Sequence, residues 1–219
     1  MSVTQTDAPV EPPKPIWRGR IHQVAFFLSI PAGITLVVLA DGWLATLATA
    51  IYAVSLTAVF GASAAYHRGN WSPKALRRMK RLDHSMIFIL IAGSYTPIAL
   101  LVLNQPWNVA ILSMAWVGAT IGVTLKLAHI DGFRILTSTL YIVLGWIAII
   151  AFPQMVKGMD PLELVLAVAG GLLYTAGAIV FATHRPDPKP TVFGYHEVWH
   201  SFMTAAAACH FAMILLLAV

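Results

Sequence analysis

Charged side chains are scarce in this sequence. Asp, Glu, Lys and Arg together make up 11% of the 219 residues, whereas an ordinary soluble domain is roughly a quarter charged. Hydrophobic residues make up 58% of the chain, and the mean hydropathy is +0.76. No water-soluble core of this length needs so much apolar sequence. The composition therefore excludes a soluble globular protein and indicates that lipid solvates most of the chain.

Cysteine is also nearly missing. The single Cys209 lies in the last apolar run, so an internal disulfide is excluded and the redox compartment is left open. Residues 1–16 contain four prolines and almost no large apolar side chains, so they do not form the apolar core of a signal peptide. We expect a disordered tail over residues 1–16 and one membrane domain over residues 17–219.

Long apolar runs are the main positive feature of the sequence. Each run is close to the roughly 20 residues that an α-helix needs to cross the hydrocarbon core. The fold class predicted is all-α, a seven-transmembrane helix bundle in the cell (plasma or inner) membrane. The predicted spans are residues 21–40, 43–67, 82–103, 107–127, 133–152 (ended by Pro153), 161–183 and 195–219.

The distribution of positive charge predicts how the bundle is oriented. Thirteen of the 14 basic residues fall in four alternate connecting regions, and only Lys157 falls on the other side. Because basic residues are retained in the cytoplasm, we expect a cytoplasmic N-terminus and a C-terminus outside. The net charge of +5 then reflects orientation and anionic lipid headgroups, not nucleic acid.

A few ionisable residues interrupt the apolar spans. His196 and His200 are spaced i and i+4, so their imidazoles lie on one face of a helix, about 6 Å apart along its axis. His67 ends the second span, one turn after Ser63, and Asp83 opens the third. Such groups are costly in a membrane and usually mark a functional site.

The predicted topology places all these groups at the cytoplasmic ends of three helices. Three neutral imidazoles and a water form a typical catalytic zinc arrangement, and zinc makes hydroxide available at neutral pH. We expect His67, His196 and His200 to bind one zinc ion per chain. Asp83 is then a proton acceptor for the water or orients it, and Ser63 is a hydrogen-bonding partner for a ligand, the water or a substrate carbonyl.

Simpler interpretations exist for each residue. An i, i+4 histidine pair is by itself a weak motif, since histidines at helix ends often just meet lipid headgroups. Ser63 is flanked by small residues and fits a helix-packing position equally well. His22 could join the site, although its place at a helix end fits contact with the interface better. His84 lies about 100° around the helix from Asp83, so the two are not expected to face one centre. His210 lies two to three turns beyond His200 and is expected to be too distant to share one metal.

The same motifs resemble the hemolysin III family and its relatives, the progestin and adipoQ receptors, which include the adiponectin receptors. The resemblance extends from about residue 20 to the C-terminus. The matching segments are Ser63-Ala-Ala-Tyr-His67, Arg81-Leu-Asp-His-Ser85 followed by Gly93-Ser-Tyr-Thr-Pro97, and His196-Glu-Val-Trp-His200 with His210 ten residues on.

The resemblance implies a seven-helix bundle with a cytoplasmic N-terminus and a zinc held by His67, His196 and His200. It associates Asp83 with the zinc-bound water and matches Ser63 to the family's serine. Eukaryotic relatives are linked to ceramide hydrolysis, and bacterial relatives carry a hemolysin name and a suggested role in membrane lipid balance. Residues 17–22 depart from the family, because they lack the Glu and Asn that often precede the histidine of the first helix.

These observations favour a zinc-dependent membrane hydrolase that acts on a lipid amide or ester near the cytoplasmic leaflet. Its partners would be membrane lipids, and the apolar bundle would admit an acyl chain. The alternative is a non-enzymatic lipid or membrane-state sensor in which the zinc is structural. A pore-forming hemolysin is disfavoured, because seven hydrophobic spans leave no soluble form to attack another membrane.

Overall fold

The computed structural model describes residues 14–128 and 132–219, so most of the predicted tail (residues 1–16) lies outside the described residues. Helices make up nearly all of the regular structure. The connection between the last two helices contains one isolated β-bridge, between Lys189 and Phe193. The helices are α1 (Arg20–Leu39), α2 (Gly42–Arg68), α3 (Pro73–Leu101), α4 (Trp107–Ala128), α5 (Arg134–Gly145), α6 (Ala148–Gly158), α7 (Pro161–Thr183) and α8 (Tyr195–Ala218).

Seven helical segments in the described residues are long and apolar enough to cross a membrane. Six of them are single helices, and α5 and α6 together form the fifth, Ile135–Gly158. The predicted all-α fold with seven spans is therefore confirmed. The sides of the membrane on which the two termini lie remain a prediction from the charge distribution.

The third span begins earlier than predicted. Helix α3 starts at Pro73, whereas the predicted spans left residues 68–81 as a connecting loop. The first turns of α3 therefore contain five basic residues of that predicted loop, Lys74, Arg77, Arg78, Lys80 and Arg81. Ser72 caps this helix, because its hydroxyl accepts a hydrogen bond from the Ala75 N–H at 3.4 Å, and proline is favoured at the first helical position. The extension adds about 14 Å of basic helix at a rise of 1.5 Å per residue.

The fifth span also differs from the prediction. It continues through Pro153 to Gly158 and is interrupted instead at residues 146–147. The carbonyl that a proline ring disturbs is the one four residues earlier, here that of Ile149 within α6, so the interruption at residues 146–147 lies two to three residues before that position. The Tyr95 hydroxyl bridges the interruption, because it donates to the Gly145 carbonyl at 2.9 Å and accepts from the Ala148 N–H at 3.0 Å.

Sequential packing gives the bundle its order. Helices α1, α2, α3 and α4 pack each on the next, α7 packs on α8, and α8 also contacts α1, α2 and α3. Small residues allow close approach: a Cβ placed on Gly33 of α1 would lie 3.0 Å from the Ala53 Cβ of α2. The start of α1, the end of α2, the start of α3 and the start of α8 meet at one end of the bundle, here called the site end.

Candidate metal centre

Three imidazoles from two helices come together at the site end. His67 lies in the last turn of α2, and His196 and His200 lie in the first two turns of α8. One ring nitrogen of each lies within 4.8 Å of the others, and the His67 and His196 Nε2 atoms are 3.2 Å apart. Two imidazole nitrogens bound tetrahedrally to one zinc at about 2.0–2.1 Å would lie roughly 3.4 Å apart. The spacing therefore suits one shared ion.

The hydrogen bonding of His200 supports the same interpretation. Its side chain is 1% exposed, and its Nε2 atom has no hydrogen-bond partner among the described residues. Leaving a buried polar atom unpaired costs about 1–3 kcal/mol. A metal ion between the three rings would satisfy this nitrogen. Neutral imidazoles suit zinc, copper, iron and nickel alike, so the ligand set fits a transition metal without fixing its identity.

Ser63 and Asp83 lie beside the cluster. Both are buried, and the Ser63 hydroxyl hydrogen-bonds to the Asp83 carboxyl and lies 2.8 Å from His22 Nδ1. The Asp83 carboxylate is not among the ligand atoms that lie within 4.8 Å of one another in the described part of the chain. Asp83 is thus connected to the imidazoles through Ser63 and His22. It lies beside the three histidines and is not one of the grouped ligands.

His22 is buried against the cluster, whereas the sequence favoured a place at the membrane interface. It is 4% exposed, and its ring stacks on that of His200 with centroids 3.8 Å apart and planes at 7°. The prediction failed because α1 packs on both α2 and α8, which turns this face of its first turn inward. The stack fixes the ring plane of His200, and the contact with Ser63 adds α1 to the site.

Glu197 and Arg18 form an ion pair that sequence reasoning did not find. Glu197 lies between the two histidines of α8 and is 0% exposed. One carboxylate oxygen accepts from Arg18 Nε, and the other accepts from the Gly194 N–H at 2.8 Å. An acid inside an apolar span needs a partner, so the position of Glu197 in the sequence already indicated that a basic residue pairs with it. The sequence could not identify this partner as Arg18, because Arg18 is 179 residues away along the chain.

Two further histidines have other environments. The His84 ring donates through Nδ1 to the Lys80 carbonyl at 2.8 Å, and this nitrogen lies 3.7 Å from an Asp83 oxygen. His210 packs between α7 and α8, where its Nε2 atom lies 3.3 Å from the Ala167 carbonyl oxygen. Neither belongs to the close imidazole group found in the described residues. The cluster consequently contains the three predicted histidines, with His22 stacked against it.

The fold and this cluster together define a class: a multi-pass membrane protein with a candidate metal centre at one end of a seven-span bundle. The sequence profile of the family described as Haemolysin-III related matches residues 11–211. The chain belongs to that family, as its motifs predicted.

Individual relatives support the assignment. Hemolysin-3 of Bacillus cereus is 32% identical over 197 residues, which cover 89% of this chain and 87% of the relative. The Hemolysin-3 homolog of Bacillus subtilis (strain 168) is 28% identical over 197 residues, or 89% of each chain. Monocyte to macrophage differentiation factor of Homo sapiens is 26% identical over 168 residues, covering 75% of this chain and 67% of the relative. The relationship to the progestin and adipoQ receptors is thereby confirmed.

Proposed function

We propose that this protein is a zinc-dependent membrane hydrolase of lipid amides or esters, with a role in membrane lipid homeostasis. The observation that carries the proposal is the convergence of His67, His196 and His200 beside a buried acid, Asp83, at one end of a lipid-solvated bundle. Hydrolysis by a zinc enzyme needs three protein ligands that leave a position for water, and a nearby proton acceptor. The site end of the bundle contains both.

Each residue of the site has a distinct role in this proposal. His67, His196 and His200 hold the zinc, which when bound supplies a Lewis acid and a water of lowered pKa. Asp83 accepts and returns the proton of the reaction. Ser63 orients the Asp83 carboxyl through their hydrogen bond. A carboxylate fixed in this way loses little entropy when it acts.

The depth of the cluster suits a lipid substrate. His196 and His200 lie in the first two turns of α8, a candidate membrane span, and the proposal therefore locates them near the boundary between hydrocarbon and headgroups. The ester and amide bonds of membrane lipids lie at this same boundary. The outer helix faces are apolar, with exposed side chains such as Val38, Val54 and Ile135. Membrane lipids are therefore the partners that we propose, with the acyl chain lying along the bundle.

One observation favours a second function, a lipid or membrane-state sensor with a structural metal. His200 is almost fully enclosed, stacked on one side by His22 and unpaired at Nε2. An ion held there would lock α2 to α8 without needing access for a substrate. The two functions differ in whether the metal supports turnover.

The substitution Asp83→Asn tests the hydrolase. It should leave the zinc content close to wild type, because Asp83 is not in the imidazole group, and lower the hydrolysis of long-chain acyl amides and esters. A general acid–base group typically contributes about 10²- to 10⁴-fold in rate. Elemental analysis measures the metal, and product release from a panel of lipids measures turnover.

Asp41→Asn is the matched control for this experiment. Asp41 is an exposed acid that precedes α2 at the opposite end of the bundle from the imidazole cluster, so its replacement should change neither quantity. Zinc-loaded wild-type protein that hydrolyses no lipid in the panel would favour the sensor. Equal turnover by Asp83→Asn and wild type would exclude Asp83 from the reaction.

A further inference from the structure

Residues 15–19, here called the strap, precede α1 and lie across the site end of the bundle. The Ile16 N–H donates to the Thr191 carbonyl at 3.1 Å, and the Trp17 N–H donates to the Val192 carbonyl at 3.1 Å. The acceptors belong to the connection between α7 and α8. The strap is thus joined by its backbone to the segment that leads directly into the two histidines of α8.

A buried ion pair joins the strap to α8 itself. Arg18 of the strap donates through Nε to Glu197, whose side chain is 0% exposed and stands between His196 and His200 in the sequence. The second Glu197 oxygen accepts from the Gly194 N–H. A buried carboxylate is stable only when it is paired and hydrogen-bonded. The pairing therefore holds Arg18, and with it the strap, against the first turn of α8.

The strap also contacts the third imidazole. Gly19 has φ 76°, a left-handed conformation that favours glycine. A Cβ placed on Gly19 would lie 2.6 Å from the His67 Cβ, closer than real Cβ atoms approach one another. Only glycine lets the chain turn here in direct contact with His67. The strap consequently touches both helices that supply the imidazoles.

We propose that the strap is a cover over the metal centre and that Arg18 is its positioning residue. By holding the strap on Glu197, Arg18 limits the exchange of metal and water between the cluster and the aqueous phase at the site end. This inference rests on the proposed function to the extent that a metal binds the three histidines.

A purely electrostatic role for Arg18 predicts the opposite effect on the metal. Arg18 is close enough to interact electrostatically with His67, His196 and His200. If charge alone mattered, Arg18→Gln would remove a positive charge beside a bound cation and slow its release. If Arg18 holds the cover, the same substitution speeds release. The direction of the change separates the two roles.

The experiment measures zinc release from the full-length protein in nanodiscs. Zinc-loaded protein is mixed with excess EDTA, separated at intervals by gel filtration and analysed for metal. Arg18→Gln should release zinc on the order of tenfold faster than wild type, as expected from the loss of one hydrogen bond to a charged group. Gly19→Ala, which changes no charge, should act in the same direction because the strap cannot seat against His67. Hydrogen exchange should also become faster at the Ile16 and Trp17 amides in both variants.

Arg185→Gln is the matched control, because it removes one exposed positive charge at the site end outside the strap. Its release rate should equal that of wild type. Normal zinc loading with unchanged or slower release in Arg18→Gln and Gly19→Ala would overturn the cover while leaving the metal site intact. Wild-type protein that binds no zinc at all would overturn both this inference and the proposed function.

Discussion

At the scale of single residues, each imidazole of the cluster is held by a different neighbour. His67 contacts Gly19, His200 is stacked on His22, and His196 lies edge-on to Trp199 with ring centroids 5.0 Å apart. Neighbours that orient a ligand matter because a metal binds tightly only where its ligands already point at one position. The supporting residues should therefore affect the metal nearly as much as the ligands do.

The first prediction concerns the ligands. Purified wild-type protein should contain about one zinc per chain, since the described residues contain one three-imidazole group. His196→Ala and His200→Ala should each lose most of this metal by elemental analysis. His210→Ala is the matched control, because His210 is a half-buried histidine of the same helix outside the group, and it should retain its zinc. Full zinc occupancy in both ligand variants would show that the assignment is wrong.

The second prediction concerns His22. His22→Ala removes the stacking partner of His200 and the contact with Ser63, and residues that orient metal ligands are worth about 10- to 100-fold in affinity. Competition with a zinc chelator should show a loss of this size. His22→Phe keeps a ring for stacking but loses the polar contact, so its zinc affinity should fall between those of His22→Ala and wild type. An unchanged affinity in His22→Ala would mean that the stack does not organise the site.

The ligands could be predicted from the sequence, but their supports could not. The i, i+4 spacing and the alternation of spans place His67, His196 and His200 at one depth without any knowledge of packing. The contacts of His22 and Arg18 depend on how α1 lies against α2 and α8. Sequence periodicity within one helix carries no information about which neighbouring helix its face will meet.

At the scale of helices, the least regular element depends on a single hydroxyl. Between α5 and α6, in the middle of a membrane span, the regular helical pattern gives way to bonds that reach three residues back, from the Ile147 N–H to the Leu144 carbonyl at 3.3 Å and from the Ile149 N–H to the Trp146 carbonyl at 3.1 Å. Backbone groups in hydrocarbon must be paired inside the protein. Tyr95 of α3 supplies both a donor and an acceptor to the break.

The third prediction tests this repair. Tyr95→Phe keeps the ring but removes the partner of the Gly145 carbonyl and the Ala148 N–H, and a polar group left unpaired away from water costs about 1–3 kcal/mol. We expect the free energy of unfolding to fall by about 2 kcal/mol or more, measured by denaturant titration in detergent. Tyr195→Phe is the control, because the Tyr195 hydroxyl has no hydrogen bond in the part of the chain that the structure describes. Equal stability of Tyr95→Phe and wild type would contradict the bridging role.

The helix boundaries show where sequence reasoning reaches its limit. Hydropathy located α7 at residues 161–183 as observed, since Glu163 in its first turn is the only charged residue of this span. It placed the start of α3 nine residues too late, because hydropathy measures where a helix leaves the hydrocarbon and not where it begins. The basic turns of α3 are helical through their Ser72 cap, and a cap is a local signal independent of hydropathy.

At the scale of the whole molecule, the site and the positive charge occupy the same end of the bundle. The basic turns at the start of α3 continue directly into the turn that contains Asp83. Arg18 belongs to the strap over the imidazoles. If basic segments remain in the cytoplasm, the candidate metal centre faces the cytoplasmic leaflet, and the lipid substrates that we propose would come from that leaflet.

The fourth prediction is therefore the orientation of the chain. Seven spans place the two termini on opposite sides of the membrane, and the basic segments predict a cytoplasmic N-terminus. An alkaline phosphatase fusion after Val219 should be active, because this reporter folds only outside the cytoplasm, whereas a fusion within the connection between α2 and α3 should be inactive. A green fluorescent protein fusion at each position should give the reverse pattern and serves as the control for expression. Activity of the phosphatase in the α2–α3 connection would place the metal centre on the outer face and direct the search for substrates to the outer leaflet.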